Sequence, residues 1–235
     1  MTQPPVVLLH GCGGSPEQAF ERTGWIEAFR AAGREVHALH LPGHSKDSPS
    51  HDPADYADLG GALLPRFPAG ACDVVGFSLG AKLALDIAVR HPHRVRRMVL
   101  GGIGDNAFAP EAVGEAAAVA LEHGRTATTP PPVLAFLATW EPALNDPLAV
   151  AAVLRRPANP VFTEAQIAAI AIPVAVVNGA EDFVASMGTR LVDALGVTQV
   201  LLPGVGHFDL TGQIAFRDCA VHFLAHADPL PTPTP

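Results

Sequence analysis

The chain has 235 residues, 49% of them apolar and only 16% charged, which excludes a disordered polyelectrolyte and suits a globular protein with a sizeable core. Fifteen basic residues against 23 acidic ones leave a formal net charge of −8 with no Lys or Arg run, so neither nucleic acid nor an anionic membrane surface is an expected partner. Cys12, Cys72 and Cys219 are odd in number and lie far apart without a Cys-x-x-Cys pair. That argues against both a disulfide framework and a zinc site, and no metal is expected.

The N-terminus has no basic region ahead of its short apolar run, so no signal peptide is expected. No apolar segment reaches membrane-spanning length. The expectation is a soluble cytoplasmic protein.

Pro5 to Leu9 is continuously apolar, as a strand buried on both faces of a parallel sheet must be. His10-Gly11-Cys12-Gly13-Gly14 follows as a glycine-rich loop. Ser15-Pro16-Glu17-Gln18 then reads as a helix start, with Ser as N-cap, Pro at the first helical position and Gln where a capping box wants it. This helix is predicted to run to about Ala32, where Gly33 stops it. Glu35 to Leu41 is a second strand, leading into the loop Pro42-Gly43-His44-Ser45. Asp52 to Phe67 is a weaker helix, whose Gly60-Gly61 pair marks a kink or a close packing contact. A strand ending at Phe77, a helix from Leu79 to about His91 and a strand from Val95 to Gly102 complete four alternations of strand and helix. Such alternation signals a right-handed, doubly wound parallel sheet.

The alternation stops at Asp105. From about 105 to 169 the chain is rich in Ala and Pro and has no strand pattern, so short helices between proline breaks are predicted, as in a cap or lid insertion. Ile172 to Val177 and Thr198 to Leu202 are further strands, with helices over Val184 to Leu195 and Ile214 to Ala227. The run 228–235 is a proline-rich tail, expected to be disordered. No second domain boundary is evident, so 1–235 reads as a single domain.

Strand, sharp turn and helix meet at Gly76-Phe77-Ser78-Leu79-Gly80. A serine at such a turn projects its hydroxyl from the top of the sheet, and the flanking glycines let strand and helix approach closely. Serine is a poor nucleophile without a base, and a histidine base works best when a carboxylate orients it. In a doubly wound sheet chemistry gathers at the carboxyl ends of the strands. Two later strand-end loops supply the missing groups: Asn178-Gly179-Ala180-Glu181-Asp182 and Pro203-Gly204-Val205-Gly206-His207-Phe208. The order serine, acid, histidine is that of one large hydrolase class. Glu181 competes with Asp182 for the acid, and Asp105, at the end of an earlier strand, is a third possibility. Asp209 is expected to cap the last helix with Thr211.

Together these motifs resemble the α/β-hydrolase superfamily over nearly the whole chain. They stand as His10-Gly11, Leu41-Pro42-Gly43-His44-Ser45, Gly76-Phe77-Ser78-Leu79-Gly80, Gly179-Ala180-Glu181-Asp182 and Gly206-His207-Phe208. The resemblance implies Ser78 as nucleophile, His207 as general base and then acid, and Asp182 as its orienting carboxylate. It places the oxyanion donors on the backbone N–H groups of Cys12 and Leu79, and His10 beneath the oxyanion loop. It also implies no cofactor. Two departures stand out: the antiparallel strands that usually open this fold are not expected ahead of the first buried strand, and His40 occupies a position where many relatives carry an acid.

Phe108, Phe136, Leu137, Trp140 and Phe162 are the insertion residues expected over Ser78, although a small core of the cap's own would use the same side chains. An apolar roof without charged clusters points to a small neutral acyl or ester substrate. The expected activity is carboxylester hydrolysis. C–C bond hydrolysis, lactone opening and perhydrolysis use the same triad, and a ligand-binding protein that merely kept the fold is the reading from outside enzymology.

Overall fold

The four residues Val6-Val7-Leu8-Leu9 have no polar alternation, and in the computed structural model all four are buried in strand β1 (Val6–Leu9). The structure describes residues 3–48, 50–110, 113–157, 160–185 and 188–226. The other strands are β2 (Val36–Leu39), β3 (Cys72–Phe77), β4 (Val95–Gly101), β5 (Val174–Gly179) and β6 (Gln199–Leu202). They form one sheet in the order β2-β1-β3-β4-β5-β6, and every neighbouring pair is parallel. The half-buried β2 lies at one edge, while β3 and β5 are buried throughout, as interior parallel strands should be. The sheet is thus the predicted doubly wound one, and no antiparallel strand precedes β1 among the described residues.

Alternate residues of the four interior strands, β1, β3, β4 and β5, feed two separate apolar layers. Val6, Leu8, Val75, Val99 and Val177 pack with Trp25 and Phe29 of α1 (Trp25–Ala31) and, at the far end of the chain, with Phe216 and Phe223. Val7, Leu9, Val74, Met98 and Val176 face the other way. They pack against Leu59 and Leu63 of α2 (Leu59–Leu63) and Leu83 and Ile87 of α3 (Leu79–Arg90).

The insertion contains no strand among its described residues. It holds α4 (Gly114–His123), α5 (Pro131–Ala138), α6 (Pro147–Leu154) and α7 (Glu164–Ala168), and a further helix, α8 (Arg190–Leu195), follows β5. Ala117, Ala120 and Val133 make a small apolar cluster with Phe136, Leu137 and Leu154. Val153, Phe162 and Ile167 join the main layer instead, so the later part of the insertion rests on the sheet's own core. The last helix is α9 (Ile214–His226), and the proline-rich run 228–235 lies outside the described residues.

Local structure corrects two of the predicted helices and one predicted cap. The helix expected from Ser15 to Ala32 is two pieces, a π-helical turn at Glu17–Glu21 and then α1, broken at Gly24 with φ +76°. Ser15 caps its start as read, since Gln18 N–H donates to Ser15 Oγ at 3.1 Å, but the Gln18 side chain donates to Thr139 O instead of closing a capping box. The Asp52–Phe67 segment divides into a 3-10 turn at Pro53–Tyr56, α2 and a second 3-10 turn at Leu64–Arg66. Asp52 caps the first turn and Asp58 caps α2, and capping side chains compete with helix continuation. A Cβ on Gly60 would lie 2.1 Å from Asp86 Oδ2, so that glycine marks a close packing contact. Asp209 makes no side-chain cap bond; its carbonyl accepts from Gln213 Nε2 instead.

Candidate active site

The turn after β3 is built by its neighbours. Ser78 N–H donates to Gly101 O at the end of β4, and Gly80 N–H donates to His10 O just past β1. A Cβ at Gly80 would sit 2.2 Å from Leu9 O, so only glycine lets α3 start this close to the sheet. Ser78 itself has φ +54° and ψ −115°, and it is the one described non-glycine residue with positive φ. Strain of this kind persists only where surrounding contacts over-determine it.

Ser78 Oγ–H donates to His207 Nε2 at 3.0 Å, and His207 Nδ1–H donates to Asp182 Oδ2 at 2.8 Å. The structure therefore brings together three residues that the sequence separates by 104 and 25 positions. Both His207 and Asp182 are 3% exposed, whereas Ser78 is half-buried and reachable. The other carboxylate oxygen of Asp182 accepts from Val184 N–H at 2.8 Å and Ala185 N–H at 2.9 Å. Burial alone would raise the Asp182 pKa. The hydrogen bond and charge of His207, with those two N–H groups, outweigh burial and hold the carboxyl below its usual range. Phe77 and Phe208 bracket the imidazole at centroid distances of 5.0 and 5.1 Å. Gly102, with φ +64°, leaves the ring room, since a Cβ there would lie 3.0 Å from His207 Cε1.

The rival acids sit elsewhere. Glu181 is exposed, with its N–H tied to Val205 O. Asp105 Oδ1 accepts from Leu191 N–H at the start of α8, at 3.4 Å.

Leu79 is the first residue of α3, so its N–H has no acceptor within the helix and lies at the positive end of the dipole. Gly11, Cys12, Gly13 and Gly14 line the same cavity as Ser78 and Leu79. His10 lies fully buried under that loop. Its Nδ1–H donates to Gly11 O at 2.8 Å and its Nε2 accepts from Leu41 N–H at 3.1 Å, which fixes the tautomer. Burial, reinforced by neighbouring His44, keeps its pKa well below the usual histidine value.

The cavity has a volume of about 480 Å³. Ala117, Val133, Phe136 and Leu154 of the insertion line one part, and Gln18, Thr23, Thr211 and Gln213 line another. Of the aromatic residues expected over Ser78, Phe136 is in this lining. Phe108, Trp140 and Phe162 are not. Phe108 lies under the Arg190 guanidinium, 4.3 Å from ring centroid to Cζ, and Phe162 is in the sheet's core. Trp140 packs on Phe136 with centroids 6.3 Å apart. Leu137 belongs to the cap's own apolar cluster. Among the described residues no group of three or more His, Cys, Asp or Glu is arranged to hold a metal ion, and no helix is long and apolar enough to cross a membrane.

Comparison with known proteins agrees with this architecture. The family model described as alpha/beta hydrolase fold matches residues 4–127, more than half of the chain. The chain belongs to the alpha/beta hydrolase fold family. A pimeloyl-[acyl-carrier protein] methyl ester esterase of Aromatoleum aromaticum is 41% identical over 124 residues, covering 50% of this chain and 47% of that protein. A 2-hydroxy-6-oxononadienedioate/2-hydroxy-6-oxononatrienedioate hydrolase of Pseudomonas putida is 31% identical over 109 residues, covering 45% and 38%. The matched stretches thus span about half or less of these relatives. The solved enol-lactonase of Burkholderia xenovorans superposes with a TM-score of 0.74 at 20% identity over 96% of this chain and 93% of its own, a likeness of fold.

One residue near the site carries no sequence signal. Asn145, in the insertion and fully buried, donates from Nδ2 to Gly13 O at 3.1 Å and to Gly14 O at 3.0 Å. Its partners lie 132 and 131 positions away, beyond the reach of any local pattern.

Proposed function

We propose that the protein is a serine hydrolase that cleaves a neutral carboxylic ester through an acyl-enzyme on Ser78. The observation that carries this reading is the unbroken relay from Ser78 Oγ through both nitrogens of His207 to Asp182. His207 Nε2 takes the Ser78 proton as Oγ attacks the ester carbonyl. The N–H groups of Leu79 and Cys12 stabilise the oxyanion of the tetrahedral intermediate. The imidazolium, paired with Asp182, then returns the proton to the leaving alcohol. In the second half, His207 takes a proton from water, hydroxide attacks the acyl carbonyl, and the acid departs as Ser78 recovers its proton. Every step uses residues of this chain.

The apolar lining from Ala117, Val133, Phe136 and Leu154 supports an acyl chain beneath the cap formed within 105–169. The esterase likeness supports ester chemistry. A second reading keeps the triad and opens a lactone or hydrolyses a C–C bond, and the stretch shared with the dienedioate hydrolase supports it.

Turnover of p-nitrophenyl esters from acetate to decanoate tests the first reading. The expected result is a chain-length optimum in the wild-type protein and no turnover by Ser78→Ala. Failure on every ester alongside turnover of a lactone or a vinylogous 1,5-diketone would favour the second.

A further inference from the structure

We propose that Asn145 is a positioning residue for the oxyanion loop, through which the docked cap sets the geometry of the Cys12 N–H. This rests on the serine hydrolase reading above. The loop is a four-residue turn, Gly11-Cys12-Gly13-Gly14, closed by Gly14 N–H to Gly11 O at 3.1 Å. Gly13 has φ +71°, as the third residue of a type II turn requires. The N–H of Cys12 is therefore aimed by the way the turn's carbonyls are held.

Those carbonyls are held from two sides. His10 Nδ1–H takes Gly11 O from beneath. Asn145 Nδ2 takes both Gly13 O and Gly14 O from the cap, using its two amide protons. The amide orientation follows from its surroundings, because the reverse would set Oδ1 against two carbonyl oxygens. Oδ1 itself is buried with no hydrogen-bond partner. A buried polar atom left unsatisfied costs stability, and the two bonds made by Nδ2 offset that cost. Neighbouring ties keep the segment docked: Gln18 Nε2 donates to Thr139 O at 2.8 Å, Arg22 pairs with Glu141 at 2.7 Å, and Asp146 N–H donates to Ser45 O at 3.2 Å.

An oxyanion donor acts on charge that develops in the transition state, so displacing it lowers kcat more than it raises KM. Asn145→Asp keeps the shape and replaces the donor with a carboxylate facing two carbonyls. Asn145→Leu keeps the bulk and removes all polarity. The probe is an octyl trifluoromethyl ketone: Ser78 Oγ adds to its carbonyl carbon, His207 takes the serine proton, and the ketone oxygen becomes the oxyanion. The matching methyl ketone reports ground-state binding in the same cavity.

Both variants are expected to lose roughly tenfold to a hundredfold in kcat and the same factor in trifluoromethyl ketone affinity, with methyl ketone affinity unchanged. Asp218→Asn, which weakens an exposed ion pair on α9 outside the cap and the cavity lining, is expected to change none of these. A folded Asn145→Asp protein, verified by circular dichroism, that binds the trifluoromethyl ketone as tightly as wild type overturns the proposal. Equal losses for both ketones also overturn it, since Asn145 would then shape the pocket rather than the oxyanion site. The underlying reading fails separately, if the wild-type protein does not react with a fluorophosphonate at all.

Discussion

Ser78 Oγ reaches His207 Nε2 at 3.0 Å from a backbone with φ +54°, a conformation no other described non-glycine residue adopts. The hydroxyl is presented to the imidazole from a strained backbone. Ser78→Gly removes both the hydroxyl and the steric penalty, whereas Ser78→Ala removes the hydroxyl alone. Both should abolish turnover. The glycine variant should be more stable than the alanine variant by about 1 kcal/mol, the strain relieved less the extra entropy of an unfolded glycine. Denaturant melts of the two inactive proteins measure that difference.

Asp182 and Glu181 are adjacent in sequence and opposite in environment, one accepting from His207, Val184 and Ala185 and the other exposed. Asp182→Asn keeps the shape but favours the wrong imidazole tautomer, and kcat should fall by up to about 10⁴-fold, as in comparable triads. Glu181→Gln should stay within about threefold, as expected of a surface substitution away from the reacting groups. Steady-state kinetics on one ester separates the two assignments.

Acid should destabilise the fold above the carboxylate range. His44 is fully buried, and burial, with Arg156 and His40 nearby, lowers its pKa to about 4 despite the bond from its Nδ1–H to Pro42 O. His10 shifts the same way. The unfolded chain, with histidines near 6.5, binds more protons between these values, so stability is full above pH 6.5 and falls as pH drops towards 4. His44 alone should contribute on the order of 2 kcal/mol of loss between pH 7 and 5. Urea melts across this range should show it, with a flatter profile for His44→Asn. The depressed Asp182 adds a further loss only at lower pH, as it protonates.

Ala117 lines the cavity from α4 with 4% exposure, so a larger side chain there must take space from the substrate or from the cap. Ala117→Leu should move the ester profile toward shorter acyl chains, with kcat/KM for the longer ester falling about fourfold for each methylene excluded. A profile that does not move would place the acyl chain elsewhere.

The parts of the protein legible in the sequence are those built from near neighbours. Ser78 between its glycines announces a strand-turn-helix because each residue answers a local steric demand, and the continuously apolar β1, β3 and β5 announce a parallel interior. Gly24 was silent: nothing in a helical pattern of seventeen residues distinguishes a tolerated glycine from one at φ +76°. Phe108, Trp140 and Phe162 are as apolar as Phe136, and only packing decides which of the four meets the cavity. Asn145 lies beyond sequence reading for another reason. Asp146-Pro147 has the form of a helix start, and Asp146 does cap α6. The residue before it works on carbonyls more than 130 positions away.

The most direct test of the account is to treat the native protein with a fluorophosphonate and map the adduct by peptide mass spectrometry. One phosphonyl group is expected, on Ser78, lost in Ser78→Ala and formed orders of magnitude more slowly in His207→Gln. An unmodified Ser78 in folded wild-type protein, or an adduct on another residue, would contradict it.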